Sequence, residues 1–414
     1  MFVLYNILIT IINFFLPLVA FFVPKLNERK KLNIDIKIQN CIWIHSASMG
    51  EFEQAKPLIE LIKKNNPNTK ILCTFFSPSG YNTQKNYPFA DAISYLPIDT
   101  YWNAKKFINN IKPTKAIFIR YELWYNYLHL LKKNNINAFL INATYPNILK
   151  KNKILLHFYR KIFSYFTDIF AVSESDFVFF NNLKLKTNIH KSADTRNDRI
   201  IEKVNDAKLN PILNRNLFSA DELIFVCGSV WNKDIDIIFS AVNDYSKLNK
   251  TNIRLILVPH EPTANHIEYI KNKFPNNILL SEILNNKEIL SQIPKEKNII
   301  VDSIGNLLKL YAIADLSYIG GGFGVGVHSI AEPAGYGIPL IVGPNCYNSP
   351  DATPLINQEA LTRITNHQQL KEWLITMNDT KNRKNAGNTA SRYIKSNSGT
   401  TEIIWKKVIE IFKN

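Results

Sequence analysis

Cysteine is scarce and scattered in this chain. Only four cysteines occur in 414 residues, at Cys41, Cys73, Cys227 and Cys346, and no two have the C-x-x-C spacing. Three of them lie in or beside apolar, strand-like runs. The pattern gives no support to a disulfide framework or a cysteine-based zinc site, and it predicts buried thiols in a reducing compartment.

Several motifs of common chemistry are also missing. There is no H-E-x-x-H, and the eight histidines form no close cluster with cysteine or aspartate, so we predict no metal. No glycine precedes a lysine, which excludes a P-loop. Although Ser46 follows His45, G-x-S-x-G is absent, and this disfavours a serine hydrolase.

Acidic residues are few relative to basic ones. The chain has 50 Lys and Arg against 34 Asp and Glu, for a net charge of +16. Such a balance suggests nucleic acid, a membrane surface or a phosphorylated substrate as partner, with a merely solvated lysine surface as the alternative. Because no zinc spacing or RNA-binding aromatic box accompanies the charge, we predict no nucleic acid partner.

The body of the chain alternates short apolar runs with amphipathic stretches. A hydrophobic content of 46% over 414 residues suits two globular domains. One β-α series begins at residue 41 and a second near residue 222, which predicts two doubly wound, Rossmann-like α/β domains. We expect an N-terminal domain over 25–208 and a C-terminal domain over 209–414.

The first 24 residues contain no charge. As a helix they would measure about 36 Å, which is enough to cross a bilayer. We interpret residues 1–24 as a membrane anchor; a helix lying in the interface and a buried core helix are the alternatives. The basic residues Lys25, Arg29, Lys30 and Lys31 would keep the body on the cytoplasmic side.

Glycine is concentrated in one segment. Eight of the 14 glycines fall between Gly320 and Gly343. The segment follows an apolar strand and precedes a helix-like run, an arrangement in which free N–H groups can meet a phosphate. The G-x-G-x-x-G spacing is not satisfied, and a tight turn is the alternative. Glu332, one turn into the helix, could accept hydrogen bonds from ribose hydroxyls.

The run HSASMGE, residues 45–51, places an acid between a strand and a helix. In a parallel sheet this junction lies at the edge where ligands bind. A carboxylate there can take a proton as a general base, and the helix N-terminus would keep it ionised. A local helix cap is the alternative interpretation of Glu51.

Five segments together carry a family resemblance. They are HSASMGE, YELWYN, LVPHEP, DSIGNL and the glycine-rich run 320–345. Their order is similar to that in the 3-deoxy-D-manno-octulosonic acid (Kdo) transferases of lipopolysaccharide biosynthesis. The resemblance implies a GT-B fold and transfer of Kdo from CMP-Kdo to a lipid A precursor, lipid IVA, with inversion and without a metal or cofactor. It also implies that the last helix packs on the N-terminal domain and that the enzyme works at the inner membrane, on an anionic membrane surface.

The resemblance also implies roles for individual residues. Glu51 corresponds to the general base, while Glu122 and Arg196 correspond to residues that stabilise the transition state. The expected CMP contacts are Pro259, His260, Ile304, Gly305, Asn306, Ser329, Ile330, Ala331 and Glu332.

This chain departs from the usual family pattern at several of these positions. Arg120 stands where an acid is common, Arg196 where Lys is usual, His260 where Arg is usual, Asn306 where Glu is usual and Ser329 where Asn is usual. The nucleotide contacts are therefore expected to be rearranged or to involve the backbone. Three alternatives remain. They are another nucleotide-sugar transferase, an epimerase, and a non-catalytic anchored protein that binds nucleotide or lipid. The sequence does not indicate the oligomeric state.

Overall fold

The computed structural model describes residues 2–22, 36–146, 148–248, 252–286, 288–289, 293 and 297–410. The chain divides into two compact units. The N-terminal unit comprises Met1–Asp198 and Asn397–Asn414, and the C-terminal unit comprises Arg199–Ser396. The division at residue 198 lies ten residues before the boundary expected at 208.

The N-terminal unit is built on a seven-stranded parallel sheet with the order β3-β2-β1-β4-β5-β6-β7. Its central strands are runs of apolar residues that are buried along their whole length, as expected for a sheet covered on both faces. The strands are β1 (Ile42–Ser46), β2 (Ile71–Phe75), β3 (Ala92–Tyr95), β4 (Lys115–Ile119), β5 (Asn137–Ala143), β6 (Asp168–Ala171) and β7 (Asn188–Lys191).

The C-terminal unit has a second seven-stranded parallel sheet, with the order β10-β11-β9-β8-β12-β13-β14. In both sheets the first strand of the unit is central, and the chain continues first to one side of it and then to the other. The strands are β8 (Leu223–Val230), β9 (Ile253–Pro259), β10 (Asn277–Leu279), β11 (Asn298–Ile300), β12 (Leu316–Ile319), β13 (Leu340–Val342) and β14 (Leu361–Arg363). The prediction of two parallel α/β domains is confirmed.

Most of the described helices connect successive strands, whereas one precedes β1 and three follow β14. The helices are α1 (Phe2–Phe22), α2 (Met49–Asn65), α3 (Pro78–Gln84), α4 (Tyr101–Ile111), α5 (Tyr125–Lys133), α6 (Ile148–Lys151), α7 (Lys153–Phe163), α8 (Glu174–Asn182), α9 (Arg196–Leu209), α10 (Asn232–Ser246), α11 (Ala264–Lys273), α12 (Leu280–Asn285), α13 (Leu307–Leu310), α14 (Ala331–Tyr336), α15 (Ala352–Asn357), α16 (His367–Met377), α17 (Thr380–Ser396) and α18 (Thr400–Glu410).

The last helix, α18, belongs to the N-terminal unit. Its residues Ile404 and Val408 are fully buried in one hydrophobic core cluster with Phe52 and Ala55 of α2. Two hydrogen bonds tie its first turn, since the N–H and hydroxyl of Thr401 both donate to the Asp198 carboxylate. The last helix therefore contributes to the hydrophobic core of the N-terminal unit.

The first helix, α1, packs on the N-terminal unit through its first two turns. The Tyr5 hydroxyl donates to Asp99 Oδ2 at 2.6 Å, and Asn126 Nδ2 donates to Asn6 Oδ1 at 2.8 Å. The Phe2 ring stacks on Tyr125 at 4.6 Å.

The predicted helix over residues 1–24 is thus present, but its interpretation as a membrane span is not supported. Of the helices in the described ranges, none has the length and apolarity needed to cross a membrane. At the start of this helix, the polar side chains of Tyr5 and Asn6 bond to Asp99 and Asn126. The basic flank at Lys25–Lys31 lies outside the described residues.

Candidate active site

Glu51 lies where the sequence analysis placed it, in the first turn of α2 just after β1. Its side chain is only 5% exposed. Ser48 donates to Glu51 Oε2 twice, from its backbone N at 2.7 Å and from its Oγ at 3.0 Å. The local cap is therefore real, and it engages only one carboxylate oxygen. Oε1 takes part in neither bond.

We expected the helix N-terminus to keep the Glu51 carboxylate ionised, whereas its surroundings shift its pKa in the opposite direction. Burial raises the pKa of Glu51, and the charge of Glu122 raises it further. The hydrogen bonds from Ser48 and the charge of Arg120 oppose this shift, but burial is the larger effect. A raised pKa makes the carboxylate a stronger base once it is deprotonated.

Glu122 lies in the loop between β4 and α5. Trp124 Nε1 donates to Glu122 Oε2 at 2.8 Å, and His45 Nε2 lies 3.3 Å from the same oxygen. The loop begins at Arg120, whose φ of 63° is left-handed and turns the chain sharply after the strand. The charge of Glu122 is near enough to Glu51 to raise the pKa of that carboxyl.

Arg196 is the first residue of α9, and its guanidinium is already paired. Its Nη2 donates to Asp194 Oδ2 at 2.6 Å, and its Nε lies 3.0 Å from both Asp194 oxygens. Gln54, one turn along α2 from Glu51, donates to Asp194 Oδ2 at 2.8 Å. Arg196 is therefore linked to the helix that carries Glu51, and it is less available for substrate oxygens than the sequence suggested.

The glycine-rich loop of the C-terminal unit follows β12, as predicted. It packs so tightly that a Cβ on Gly320 would lie 2.2 Å from the Ser229 carbonyl oxygen. At Gly321 the φ of 90° is one that side chains with a Cβ rarely adopt.

The expectation that this loop offers free N–H groups to a phosphate is only partly met. Internal acceptors take the N–H groups of Gly320, Gly321, Gly324 and Gly326. The helix that follows, α14, has only six residues, so its dipole contributes little. The loop is a closely packed structural turn as well as a candidate ligand surface.

The sequence analysis missed Asp234, which holds this loop in place. Asp234 is 1% exposed, and it accepts hydrogen bonds from the N–H groups of Gly321 and Trp231, both at 2.9 Å, and from the Tyr318 hydroxyl at 2.8 Å. Burial raises its pKa. The sequence signal was an acid in the first turn of the helix after the central strand, the same signal that pointed to Glu51.

The expected CMP contacts come from three segments that the sheet order brings together. His260 follows β9, Gly305 follows β11, and Ser329 precedes α14. The ring of His328, next to Ser329, stacks on His260 with centroids 4.3 Å apart. The Tyr336 hydroxyl of α14 donates to the Leu308 carbonyl at 2.8 Å, which joins the third segment to the second.

The exposure of the nine predicted residues decides how each could contact a ligand. Pro259, Ile330 and Ala331 are buried, so only their backbone is a candidate for contact. Ile304 is 86% exposed, and Asn306 Nδ2 donates to Ser303 Oγ at 2.7 Å. His260, Gly305, Ser329 and Glu332 are partly or fully exposed. Their roles stay predictions.

A cavity of about 550 Å³ opens beside these segments in the C-terminal unit. It is lined by Trp231, Glu261 and Phe323 of the loops after β8, β9 and β12, and by residues of helices α10 and α11, among them Lys233 and Tyr269. Trp231 also stacks on His260 with ring centroids 4.6 Å apart. The sequence analysis named none of these lining residues.

One known family model matches a part of the chain that ends close to the boundary between the two units. Residues 22–199 match the family model described as "3-Deoxy-D-manno-octulosonic-acid transferase (kdotransferase)". This part of the chain is thus similar to the Kdo transferases. The match covers Glu51, Glu122 and Arg196, and the resemblance inferred from the motifs is confirmed.

Relatives extend the similarity over most of the chain. A 3-deoxy-D-manno-octulosonic acid transferase of Rickettsia typhi is 28% identical over 341 residues, which are 80% of this chain and 70% of the relative. Another, from Haemophilus influenzae, is 26% identical over 380 residues, covering 87% of this chain and 84% of the relative.

Solved structures show the fold alone. UDP-GlcNAc 2-epimerase from Neisseria meningitidis superposes with a TM-score of 0.60 at 11% identity, over 89% of this chain and 99% of the other. MurG of Acinetobacter baumannii gives a TM-score of 0.57 at 10% identity over the same shares. The two-domain fold is common to enzymes of different function, so function rests on the site.

Proposed function

We propose that this chain is an inverting glycosyltransferase that moves Kdo from CMP-Kdo to a lipid A precursor, lipid IVA, in lipopolysaccharide biosynthesis. The observation that carries the proposal is the buried carboxylate of Glu51. It is held on one oxygen at the carboxyl edge of the central strand, inside the segment that matches the Kdo transferase family.

In the proposed reaction, Glu51 acts as general base. An acceptor hydroxyl gives its proton to Glu51 Oε1 as its oxygen forms a bond to the anomeric carbon of Kdo. The bond between that carbon and the phosphate oxygen of CMP breaks, and its electron pair leaves with CMP. The raised pKa of Glu51 makes its carboxylate a stronger base once it is deprotonated.

Glu122 and Arg196 are proposed to stabilise the transition state. Charge moves onto the phosphate of CMP as the sugar leaves, and cations near that charge lower the barrier. The Asp194 carboxylate holds the Arg196 guanidinium in a fixed orientation. We expect the loss of Arg196 to slow turnover by roughly 10²-fold.

The C-terminal unit is proposed to bind the CMP part of the donor through the nine residues named above. Since several N–H groups of the glycine-rich loop are already used, side chains must supply more of the phosphate contact. Lys233, which lines the neighbouring cavity, has suitable charge. No metal or other cofactor is part of this proposal.

Inner-membrane association on the cytoplasmic side is proposed to bring the enzyme to its lipid acceptor. The exposed face of α1 carries large apolar side chains, including Leu4, Ile7, Leu8 and Ile11. A helix with such a face can lie in the interface of an anionic membrane. Lys63, a basic residue of α2, is paired with Asp91 at 2.7 Å.

The deciding experiment incubates the full chain with CMP-Kdo and tetraacylated lipid A precursor and measures product mass. One or more Kdo adducts support the proposal. Release from UDP- or ADP-sugars, with none from CMP-Kdo, favours another transferase or an epimerase. Binding of CMP without any transfer favours a non-catalytic protein.

The matched variant is Glu51→Gln, which keeps the size of the side chain and removes the base. We expect it to bind CMP normally and to lose roughly 10²- to 10⁴-fold in turnover. Full activity of Glu51→Gln would remove the base assignment.

A further inference from the structure

His45 occupies a fully buried position next to the candidate site. It lies in β1, is 0% exposed, and is paired in register with Thr74 of β2. Its Nδ1 lies 2.9 Å from Thr74 Oγ1. Trp43, two residues earlier on the same face of β1, donates its Nε1–H to the same Oγ1 at 2.8 Å. Thr74 thus links the two side chains.

The surroundings of the ring favour one tautomer of His45. The indole of Trp43 can only donate, so the Thr74 hydroxyl accepts from it and keeps one hydrogen and one lone pair, with which it can donate to His45 Nδ1 or accept from it. With Nδ1 as acceptor, the proton of a neutral imidazole is on Nε2. The opposite tautomer would place the Nε2 lone pair 3.3 Å from a carboxylate oxygen of Glu122 in a buried site, which is repulsive.

Glu122 Oε2 accepts a hydrogen bond from the ring N–H of Trp124. The buried His45 Nε2, which has no hydrogen-bond partner among the described residues, lies close to the same oxygen. The Trp124 bond is 2.8 Å long, and the two rings pack edge to face with centroids 5.5 Å apart. The His45 contact, at 3.3 Å, is longer than an ideal hydrogen bond. Such contacts often shorten when substrate binds.

We propose that His45 is a positioning residue for Glu122: its Nε2–H, with Trp124 Nε1–H, fixes Oε2 and leaves Oε1 to face the reacting groups. The inference rests on the proposed function. It parallels Glu51, where Ser48 holds one oxygen and the other takes part in neither bond. A side chain fixed by a second layer of hydrogen bonds loses less entropy when it meets the transition state.

The test compares two amides at position 45. His45→Gln places an amide N–H near the position of Nε2 and can still donate to Glu122, whereas His45→Asn reaches only as far as Nδ1. We expect His45→Asn to lower kcat roughly 10- to 100-fold with little change in KM for CMP-Kdo. His45→Gln should recover most of that loss. Equal losses in the two variants overturn the proposal.

A double-mutant cycle separates positioning from folding. If His45 acts through Glu122, His45→Asn has no further effect on kcat when Glu122→Gln is already present. A purely structural role predicts the same fold-loss in both backgrounds. The matched control is His190→Asn, because His190 Nε2 lies 2.7 Å from Asp168 Oδ1 in the same unit without any assigned role. That variant should leave kcat unchanged.

A spectroscopic readout does not depend on turnover. In the full chain labelled with ¹⁵N-histidine, long-range ¹H–¹⁵N spectra report which ring nitrogens are protonated, and the His45 signals are assigned by their loss in His45→Asn. We expect a protonated Nε2 whose shift changes in Glu122→Gln. A His45 protonated on Nδ1 alone overturns the proposal. A wild-type chain that transfers nothing overturns the proposed function instead, while the spectrum still decides the contact with Glu122.

Discussion

Ser48 donates two hydrogen bonds to the same oxygen of Glu51, one from its backbone N at 2.7 Å and one from its hydroxyl at 3.0 Å. The pair therefore both starts helix α2 and orients the candidate base. A similar arrangement begins α8, where the Asp176 N–H donates to Ser173 Oγ at 3.1 Å and that hydroxyl contacts the Asp176 carboxylate. The pair Ser48–Glu51 lies in the candidate site, whereas the pair Ser173–Asp176 has no assigned role.

Replacing Ser48 with alanine should change the pH profile of the enzyme. The bonds from Ser48 lower the pKa of Glu51 against the larger effect of burial, so the loss of the hydroxyl raises that pKa further. A general base works only when deprotonated, and the acidic limb of kcat should move to higher pH. The measurement is kcat from about pH 5 to 9.

The control for Ser48→Ala is Ser173→Ala. Each variant should cost about 1 kcal/mol of stability at a helix start, but only Ser48→Ala should shift the acidic limb. Superimposable pH profiles for Ser48→Ala and the wild type would contradict the role given to this bond.

Arg120 should act on Glu51 through its charge. It lowers the pKa of Glu51, and this chain has it where related sequences commonly have an acid. Arg120→Gln should therefore raise the pKa of Glu51 and shift the acidic limb of kcat upward, and Arg120→Glu should shift it further. Arg160→Gln, a change in α7 of the same unit, is the control. If the acidic limb of kcat is unchanged in both Arg120 variants, Arg120 does not influence the pKa of Glu51.

The fold and the first turn of α2 were predictable from local patterns. Apolar runs such as Ile42–Ser46 define buried strands, and an acid after the strand marks the carboxyl edge of the sheet. The pairing of Arg196 with Asp194 was not predictable, because it depends on side-chain rotamers that the spacing does not fix. The links from Tyr5 to Asp99 and from His45 to Thr74 join residues 94 and 29 positions apart, so only the folded chain shows them.

Asp99 should make the stability of the N-terminal unit depend on pH. It is fully buried, and burial raises its pKa to about 7 despite hydrogen bonds from Tyr5 and from the backbone of Asn126 and Tyr127. The unfolded value is about 3.9, so the folded state binds more protons between about pH 4 and 7. The resulting stability is complete below that window and is lost as the pH rises through 7.

Asp99→Asn keeps an acceptor oxygen and cannot ionise. The thermal midpoint of Asp99→Asn relative to wild type should therefore increase from pH 5 to pH 8. The control is Asp91→Asn, which removes the partner of Lys63 near the surface. The difference in thermal midpoint between Asp91→Asn and the wild type should stay constant over this pH range. If the difference in thermal midpoint between Asp99→Asn and the wild type is also constant with pH, Asp99 ionises normally in the folded state.

The glycine-rich loop contains a matched pair of substitutions. A Cβ at Gly321 would lie 2.2 Å from the Gly326 carbonyl oxygen, and the φ of 90° is itself strained for alanine. At Gly324, a Cβ would have an ordinary contact, 3.7 Å from the Gly321 oxygen. Gly321→Ala should destabilise the chain by more than about 1 kcal/mol, and Gly324→Ala should stay within about 0.5 kcal/mol of wild type.

The same pair tests the link between this loop and CMP. The Cβ added at Gly321 would also come within 3.6 Å of His328 Cδ2, and His328 stacks on the predicted CMP contact His260. Because a shifted loop moves this stack, Gly321→Ala should weaken CMP binding at least tenfold in calorimetric titration at a temperature where the variant is folded. Gly324→Ala should bind CMP as the wild type does. Equal affinities for both variants would place CMP away from the loop, in conflict with the contacts proposed at His260 and Ser329.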